Sequence, residues 1–324
     1  MRRYLPLLLF LLVSFGFSTS VYSEEELKLN QVKNFGFQLQ KLSLWEIRNS
    51  SFDLIVIEPF LASDNTKTYS YSQVSLMKNR GNPEKRKIVL AYISIGEAET
   101  YRNYWKKEWD PNPPAWLGKE NKAWKGNYKV RYWNPEWQKL ILTNLDLILE
   151  AGFDGIYMDI IDANYYWSIP ETYGKQKEER LPEDPYKNRK LAVERMVDWI
   201  KVIADYSREG SKHARKNFLI FPQNGEDMIL YLSKEKVATY WDKIDGIGVE
   251  DLFYYGDKAE DNPRKVDQYR LKILQQFPAR NKTVLSIDYL TRKDFIHAFY
   301  KEARKYKFIP YATIRALDSL PTHK

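Results

Sequence analysis

Gly152-Phe153-Asp154-Gly155-Ile156-Tyr157-Met158-Asp159-Ile160-Ile161-Asp162 is the stretch on which the fold turns. A helical run from Leu140 to Ala151 stops at a glycine, as helices commonly do. A short apolar run then closes on Asp159, with Asp162 three residues beyond. This is an αβ turn leading into a buried strand with a carboxylate at its C-terminal end. In an α/β barrel that end carries the chemistry. Asp154 falls at the opposite end of the strand and reads as a structural turn residue.

The same grammar recurs on both sides. Upstream, Phe35 to Gln40, Phe52 to Pro59 and Lys87 to Ser94 are short apolar runs; the second reaches Glu58 and the third is followed by Ile95-Gly96-Glu97-Ala98-Glu99. Downstream, Phe218 to Pro222, Ile244 to Val249 (then Glu250-Asp251), Thr283 to Ile287 (then Asp288-Tyr289) and Phe308 to Ala312 (then Thr313-Ile314-Arg315) repeat it. Between them lie segments of helical period: Leu42–Asn49, Tyr71–Arg80, Pro135–Ala151, Leu191–His213, Glu226–Ala238, Lys265–Phe277 and Asp294–Tyr306. Asn134 and Pro135 suit an N-cap and first helical residue. Eight non-alternating apolar strands separated by helices predict a fully buried parallel sheet. At this length a single (β/α)8 TIM barrel is favoured over a doubly wound sheet.

Two segments break the rhythm. Thr172 to Arg189 is polar and reads as a long loop. Tyr101 to Asn134, after strand three, is a long aromatic insertion carrying Trp105, Trp109, Trp116, Trp124 and Trp133. Asp110-Pro111-Asn112-Pro113-Pro114 excludes regular helix there. Such an insertion either shapes a groove on the active face or folds as a satellite cluster on its own tryptophans.

The bulk composition narrows the class. Arg2-Arg3, an apolar run Tyr4–Phe17 and small residues up to Ser23 precede Glu24-Glu25-Glu26, the pattern of a secretory signal over 1–23, leaving 24–324 as one domain. The apolar run is shorter than the roughly 20 residues a membrane span needs, so export to the periplasm or medium without a stable membrane anchor is expected. The chain has no Cys, so neither disulfides nor a lipidated cysteine is available. A net charge of +8 falls to +6 once Arg2 and Arg3 are removed, and the basic residues are interspersed with acids, a solvated surface rather than a nucleic-acid footprint. With only His213, His297 and His323, far apart, neither a His-based zinc site nor a Ser-His-Asp arrangement is to hand, and no metal or other cofactor is implied. Ten Trp and 24 Tyr suit sugar stacking, though a large core also uses aromatics.

Glu58, Glu97, Glu99, Asp159, Asp162, Glu250, Asp251 and Asp288 all fall at or just past strand ends. One such acid is commonly the N-cap of the next helix. A ring of them converging on one mouth needs shared protons or a neutralising cation. A glycosidase uses this, one carboxylate attacking or steadying the sugar while another protonates the leaving oxygen. A divalent cation bound through oxygen ligands and a cationic polymer are the other occupants. Tyr165 and Trp167, just past Asp162, are placed to touch a sugar. A non-catalytic envelope protein binding carbohydrate in the same cleft is the competing function.

Tyr92-Ile93-Ser94-Ile95-Gly96-Glu97-Ala98-Glu99, Pro114-Ala115-Trp116-Leu117-Gly118-Lys119, Gly152 to Asp159 with Asp162, Phe221-Pro222-Gln223-Asn224-Gly225 and Asp245-Gly246-Ile247-Gly248-Val249-Glu250 together resemble glycoside hydrolase family 114, in its bacterial extracellular branch. The likeness runs from Phe35 to Leu317. It implies a TIM-barrel endo-α-1,4-polygalactosaminidase that cuts galactosamine-containing exopolysaccharide with retention. It also implies that the acids ending strands four and six are catalytic, making Asp159 the nucleophile and Glu250 the acid/base. Glu58 stands where many relatives carry Asp. Gln223, Asn224 and Arg315 join the strand-end acids as expected substrate ligands.

Overall fold

The structure, a computed structural model, describes residues 29–79, 86–170 and 180–322. The signal expected at 1–23 and residues 172–179 of the polar loop lie outside them. The strands are β1 (Phe35–Gln38), β2 (Leu54–Ile57), β3 (Ile88–Ser94), β4 (Gly155–Asp159), β5 (Leu219–Pro222), β6 (Gly246–Glu250), β7 (Thr283–Tyr289) and β8 (Ile309–Thr313). Pairing is parallel from β1 to β5 and again from β6 to β8. The first gap is closed by a parallel bridge between Gln223 and Gly248 and by Asn224 N–H donating to Gly248 O at 2.8 Å. At the second, Leu39 and Gln40 N–H both donate to Leu317 O, and the Phe35 and Tyr311 rings meet at 5.4 Å. The result is the closed eight-stranded barrel that the sequence predicts.

Strand parity sorts the core into two layers. Phe35, Phe37, Leu54, Val56, Leu90, Tyr157, Phe221, Leu285, Ile287 and Tyr311 fill the barrel. Their neighbours one residue away, among them Ile55, Val89, Ile156, Ile220, Ile247 and Val284, face outward onto the helices. β6 contributes no inward side chain below its end, because Gly246 and Gly248 occupy those positions. A Cβ on Gly246 would lie 2.2 Å from Phe221 Cε1, and one on Gly248 would lie 1.8 Å from Tyr157 Oη. The two glycines are therefore the space into which the aromatics of β4 and β5 project. Gly248→Ala is expected to overpack this layer and cost about 3 kcal/mol, read as a lower urea midpoint at unchanged m-value.

The helices are α1 (Leu44–Asn49), α2 (Tyr71–Lys78), α3 (Pro135–Glu150), α4 (Ala163–Ser168), α5 (Arg189–Asp205), α6 (Lys234–Lys243), α7 (Gln268–Leu274) and α8 (Lys293–Lys305). In α3, Asn134 Oδ1 accepts Glu136 N–H at 2.9 Å, and Trp137, Ile141, Leu145 and Ile148 make a buried stripe at helical spacing.

Three local expectations are corrected. The helix expected over Glu226–Ala238 is a 3-10 turn (Glu226–Leu230) followed by the separate α6, which Ser233 caps. The segment after β3 is not irregular: Glu97–Glu99, Asn127–Val130 and Leu117–Glu120 form an antiparallel three-stranded sheet. β7 runs on through Asp288 to Tyr289, so that Asp288, expected at the mouth, lies within the strand.

Candidate active site

Extending the inward parity one step past the filled core brings Tyr92, Asp159, Gln223, Glu250 and Tyr289 to the C-terminal mouth. They line one groove of about 960 Å³. Its other walls are a hairpin after β2 (Phe60–Leu61 with Asp64–Thr68), the insertion sheet, and Arg315 to Leu317. Three strands leave the mouth by the same device. Ile160, Asn224 and Asp251, immediately after Asp159, Gln223 and Glu250, adopt φ of +59°, +59° and +53°. For a β-branched residue such as Ile160 this region is strained, and the strain sits beside the strand-end acid.

Asp159 accepts a hydrogen bond from Tyr92 Oη at 2.5 Å on Oδ2 and from Ile160 N–H at 2.7 Å on Oδ1. Although its carboxyl keeps an opening to the groove, burial pushes its pKa up to about 7; the Tyr92 bond opposes this and the charge of Glu250 adds to it. Glu250 accepts from Tyr289 Oη and Gln223. Its pKa is also raised by burial, against the pull of the Tyr289 bond. The backbone of Glu250 is held on both sides: its N–H donates to Asn224 Oδ1 at 3.2 Å, and its carbonyl accepts from Arg270 Nη1 at 2.9 Å. Arg270 Nη2 also donates to Asn224 Oδ1 at 3.1 Å, so one guanidinium ties the ends of β5 and β6 together.

Glu58 and Glu99 also face the groove, joined by buried Arg102. Its Nη1 and Nη2 reach the two oxygens of Glu58 at 2.6 and 3.0 Å, and its Nε reaches Glu99 Oε2 at 2.6 Å. Burial still raises the Glu58 pKa against this neighbour. The triad fastens the insertion to the barrel. Arg102→Ala would strand two buried carboxylates, an expected loss of about 3–5 kcal/mol in chemical unfolding. Arg102→Lys should not restore it, because an ammonium cannot reproduce the fork. Glu97 is held by Lys129 and by Asn121 Nδ2 at 2.9 Å. Asp162 opens to solvent at the mouth; crowding by the protein raises its pKa, and Lys129 counters that.

The remaining expected ligands part company. Gln223, Asn224 and Arg315 line the groove. Asp251 pairs with Arg315 at 3.0 Å and reaches the groove through it. Tyr165 turns aside, donating to Asp227 under the Arg189 guanidinium. Trp167 is corrected from ligand to core: it is 1% exposed, and its Nε1 donates to Val130 O at 2.8 Å, seating α4 under the insertion sheet. Asp288 is corrected likewise. It lies on the outer face of β7, where Oδ1 accepts Tyr254 N–H at 2.9 Å and burial holds its pKa well above the ordinary range. Its neighbour Tyr289 has the inward parity. The sequence reading missed Tyr92, Tyr289, Arg102 and Arg270. The two tyrosines could have been found by counting parity from Leu90 and Ile287; nothing local marks the arginines.

Among the described residues no group of three or more His, Asp or Glu side chains is arranged to hold a metal ion. No helix among them is long and apolar enough to cross a membrane. Two half-buried carboxyls with raised pKa, each with its own phenol donor and both facing one groove, suit acid/base and nucleophilic work on a polar substrate. Residues 22–323 match the glycoside-hydrolase family GH114. The chain belongs to that family. It is a glycosidase, and its family points to a polysaccharide substrate.

Among proteins similar in sequence, an uncharacterised protein of Methanocaldococcus jannaschii is 36% identical over 297 residues, covering 89% of this chain and 78% of that one. One of Thermotoga maritima is 32% identical over 293 residues, covering 88% and 81%. The glycoside hydrolase domain of PelA from Pseudomonas aeruginosa has a similar fold, with a TM-score of 0.61 at 17% identity over 89% of this chain and 97% of that one. So does Aspergillus fumigatus Ega3, solved in complex with galactosamine, with a TM-score of 0.56 at 14% identity over 94% and 99%.

Proposed function

We propose that this GH114 glycosidase is exported and cuts α-1,4-linked polymers of galactosamine and N-acetylgalactosamine by double displacement, with Asp159 as nucleophile and Glu250 as acid/base. The observation that carries the reading is the pair itself: two half-buried carboxyls that end β4 and β6 and line the same groove, with the charge of Glu250 helping to raise the pKa of Asp159. Glu250 gives its proton to the glycosidic oxygen as that bond breaks, while Asp159 attacks the anomeric carbon. A glycosyl ester on Asp159 results. Glu250, now ionised, takes a proton from water, which displaces the sugar and frees Asp159. The step needs the proton on Glu250 and the charge on Asp159. A sugar ammonium in the acidic mouth favours that distribution by stabilising the Asp159 carboxylate.

The amino-sugar part draws on the acids around the groove and on the galactosamine complex of the similarly folded Ega3. Export draws on the pattern at 1–23. The test is reducing-end release by the purified mature chain from acetylated and deacetylated galactosamine polymers, with the anomer of the first product followed by NMR. Retention of the α-anomer supports double displacement. Cleavage of neither polymer sinks the substrate assignment.

A further inference from the structure

Four of the insertion's five tryptophans are spent on packing. Trp105 meets Trp109 at 5.4 Å, Trp109 meets Trp116 at 5.0 Å, Trp116 meets Trp137 of α3 at 5.2 Å, and Trp133 meets Trp167 at 5.4 Å. Trp124 differs. It is 60% exposed, yet it lines the same groove as Asp159 and Glu250. Tyr101, 53% exposed, lines the groove as well.

The loop that carries Trp124 is built to hold it there. Asn121 N–H donates to Asn127 O at 2.7 Å, Trp124 N–H to Asn121 O at 3.0 Å, and Asn127 N–H to Trp124 O at 3.1 Å. Asn121 also caps the turn through its side chain, with Oδ1 accepting Ala123 N–H at 3.1 Å, and bonds Glu97 on the groove wall through Nδ2 at 2.9 Å. An indole kept in water on a turn this well tied is pre-organised for a flat apolar partner. The C–H face of a pyranose is such a partner, and a stacked ring recovers the apolar area now exposed.

We propose that Trp124 is the stacking platform of an outer sugar subsite, gripping a ring of the polysaccharide away from the bond that is cleaved, with Tyr101 extending the wall. The subsite makes the protein discriminate by chain length. It binds the polymer through a ring that a one-sugar substrate does not have. The inference rests on the groove being a polysaccharide site and is independent of which acid does what.

The test compares the full mature chain with Trp124→Ala and Trp124→Phe on a galactosamine polymer and on an aryl galactosaminide that fills only the cleavage site. Trp124→Ala is expected to raise KM for the polymer about 5- to 10-fold. Polymer kcat, the aryl substrate's kcat/KM and the urea midpoint should be unchanged, with Trp124→Phe recovering most of the loss. Unchanged polymer KM, or equal losses on both substrates, overturns the subsite. If wild type cuts neither substrate, the catalytic reading fails, and the subsite is then read by tryptophan fluorescence on titration with galactosamine oligosaccharides. Binding that Trp124→Ala weakens upholds it; binding that is absent, or indifferent to the substitution, overturns it.

Discussion

Glu250→Gln and Asp159→Asn are each expected to lower kcat on the polymer by about 10³-fold or more, since each removes one half of the proposed two-carboxylate mechanism. The leaving group separates their roles. A dinitrophenyl glycoside departs without protonation, so Glu250→Gln should still form the glycosyl ester from it and stall there, giving a burst of phenol. Asp159→Asn should give no burst on any substrate. If Glu250→Gln lacks the burst and Asp159→Asn retains it, the two roles are reversed. Stability should move the other way. Asp159 has its folded pKa raised from 3.8 to about 7. Its ionisation therefore opposes folding, with a cost that is absent below the unfolded value, grows between those pH values and is complete above them. Asp159→Asn should raise Tm on the order of 5 °C above pH 7 and leave it unchanged near pH 4. An active site that holds a carboxylate out of water sacrifices stability for reactivity.

The two phenols give the second large effect, and its sign differs between them. Tyr92 stabilises ionised Asp159, the form the proposed attack requires. Tyr92→Phe should therefore raise the Asp159 pKa and move the acidic limb of kcat/KM upward by about one pH unit, roughly a tenfold loss near pH 6 that fades on the alkaline side. Tyr289 stabilises ionised Glu250, the form that cannot donate. Tyr289→Phe should raise the Glu250 pKa and carry the alkaline limb upward, retaining activity at higher pH. The limbs belong to the coupled pair, so the measurement is the direction each moves in full pH–rate profiles of both variants. Shifts of both limbs downward would contradict the hydrogen-bond arrangement at the mouth.

Much of this was legible in the chain. Short apolar runs between helical periods give the barrel, because strands buried on both faces leave an unmistakable composition. The strand-end position of Asp159 and Glu250 follows from the same reading. The alternation within each strand was harder to use, because a buried parallel strand is apolar on both faces and does not announce which residues point inward. An error of one residue exchanges the two faces. Asp288, polar and conspicuous, reads as a mouth residue for that reason, whereas it is Tyr289 beside it that points inward. The two glycines of β6 are a local trace of inward crowding, and their meaning depends on Tyr157 and Phe221 from other strands.

The sequence by itself determined the number and order of strands, the end of the barrel that bears the acids, and the membership of Asp159, Glu250, Gln223 and Asn224 in one cluster of strand ends. Tertiary structure alone decided which aromatics are free. On paper Trp167, just past Asp162, is better placed than Trp124 to touch a sugar, yet Trp167 is enclosed between α4 and the insertion sheet and Trp124 stands in water at the groove. It also decided that Arg102 joins Glu58 to Glu99 and that Arg270 fastens β5 to β6. The physical reason is common to all of these. Strand identity is a property of a few consecutive residues, whereas burial, charge pairing and pKa depend on groups brought together from distant parts of the chain.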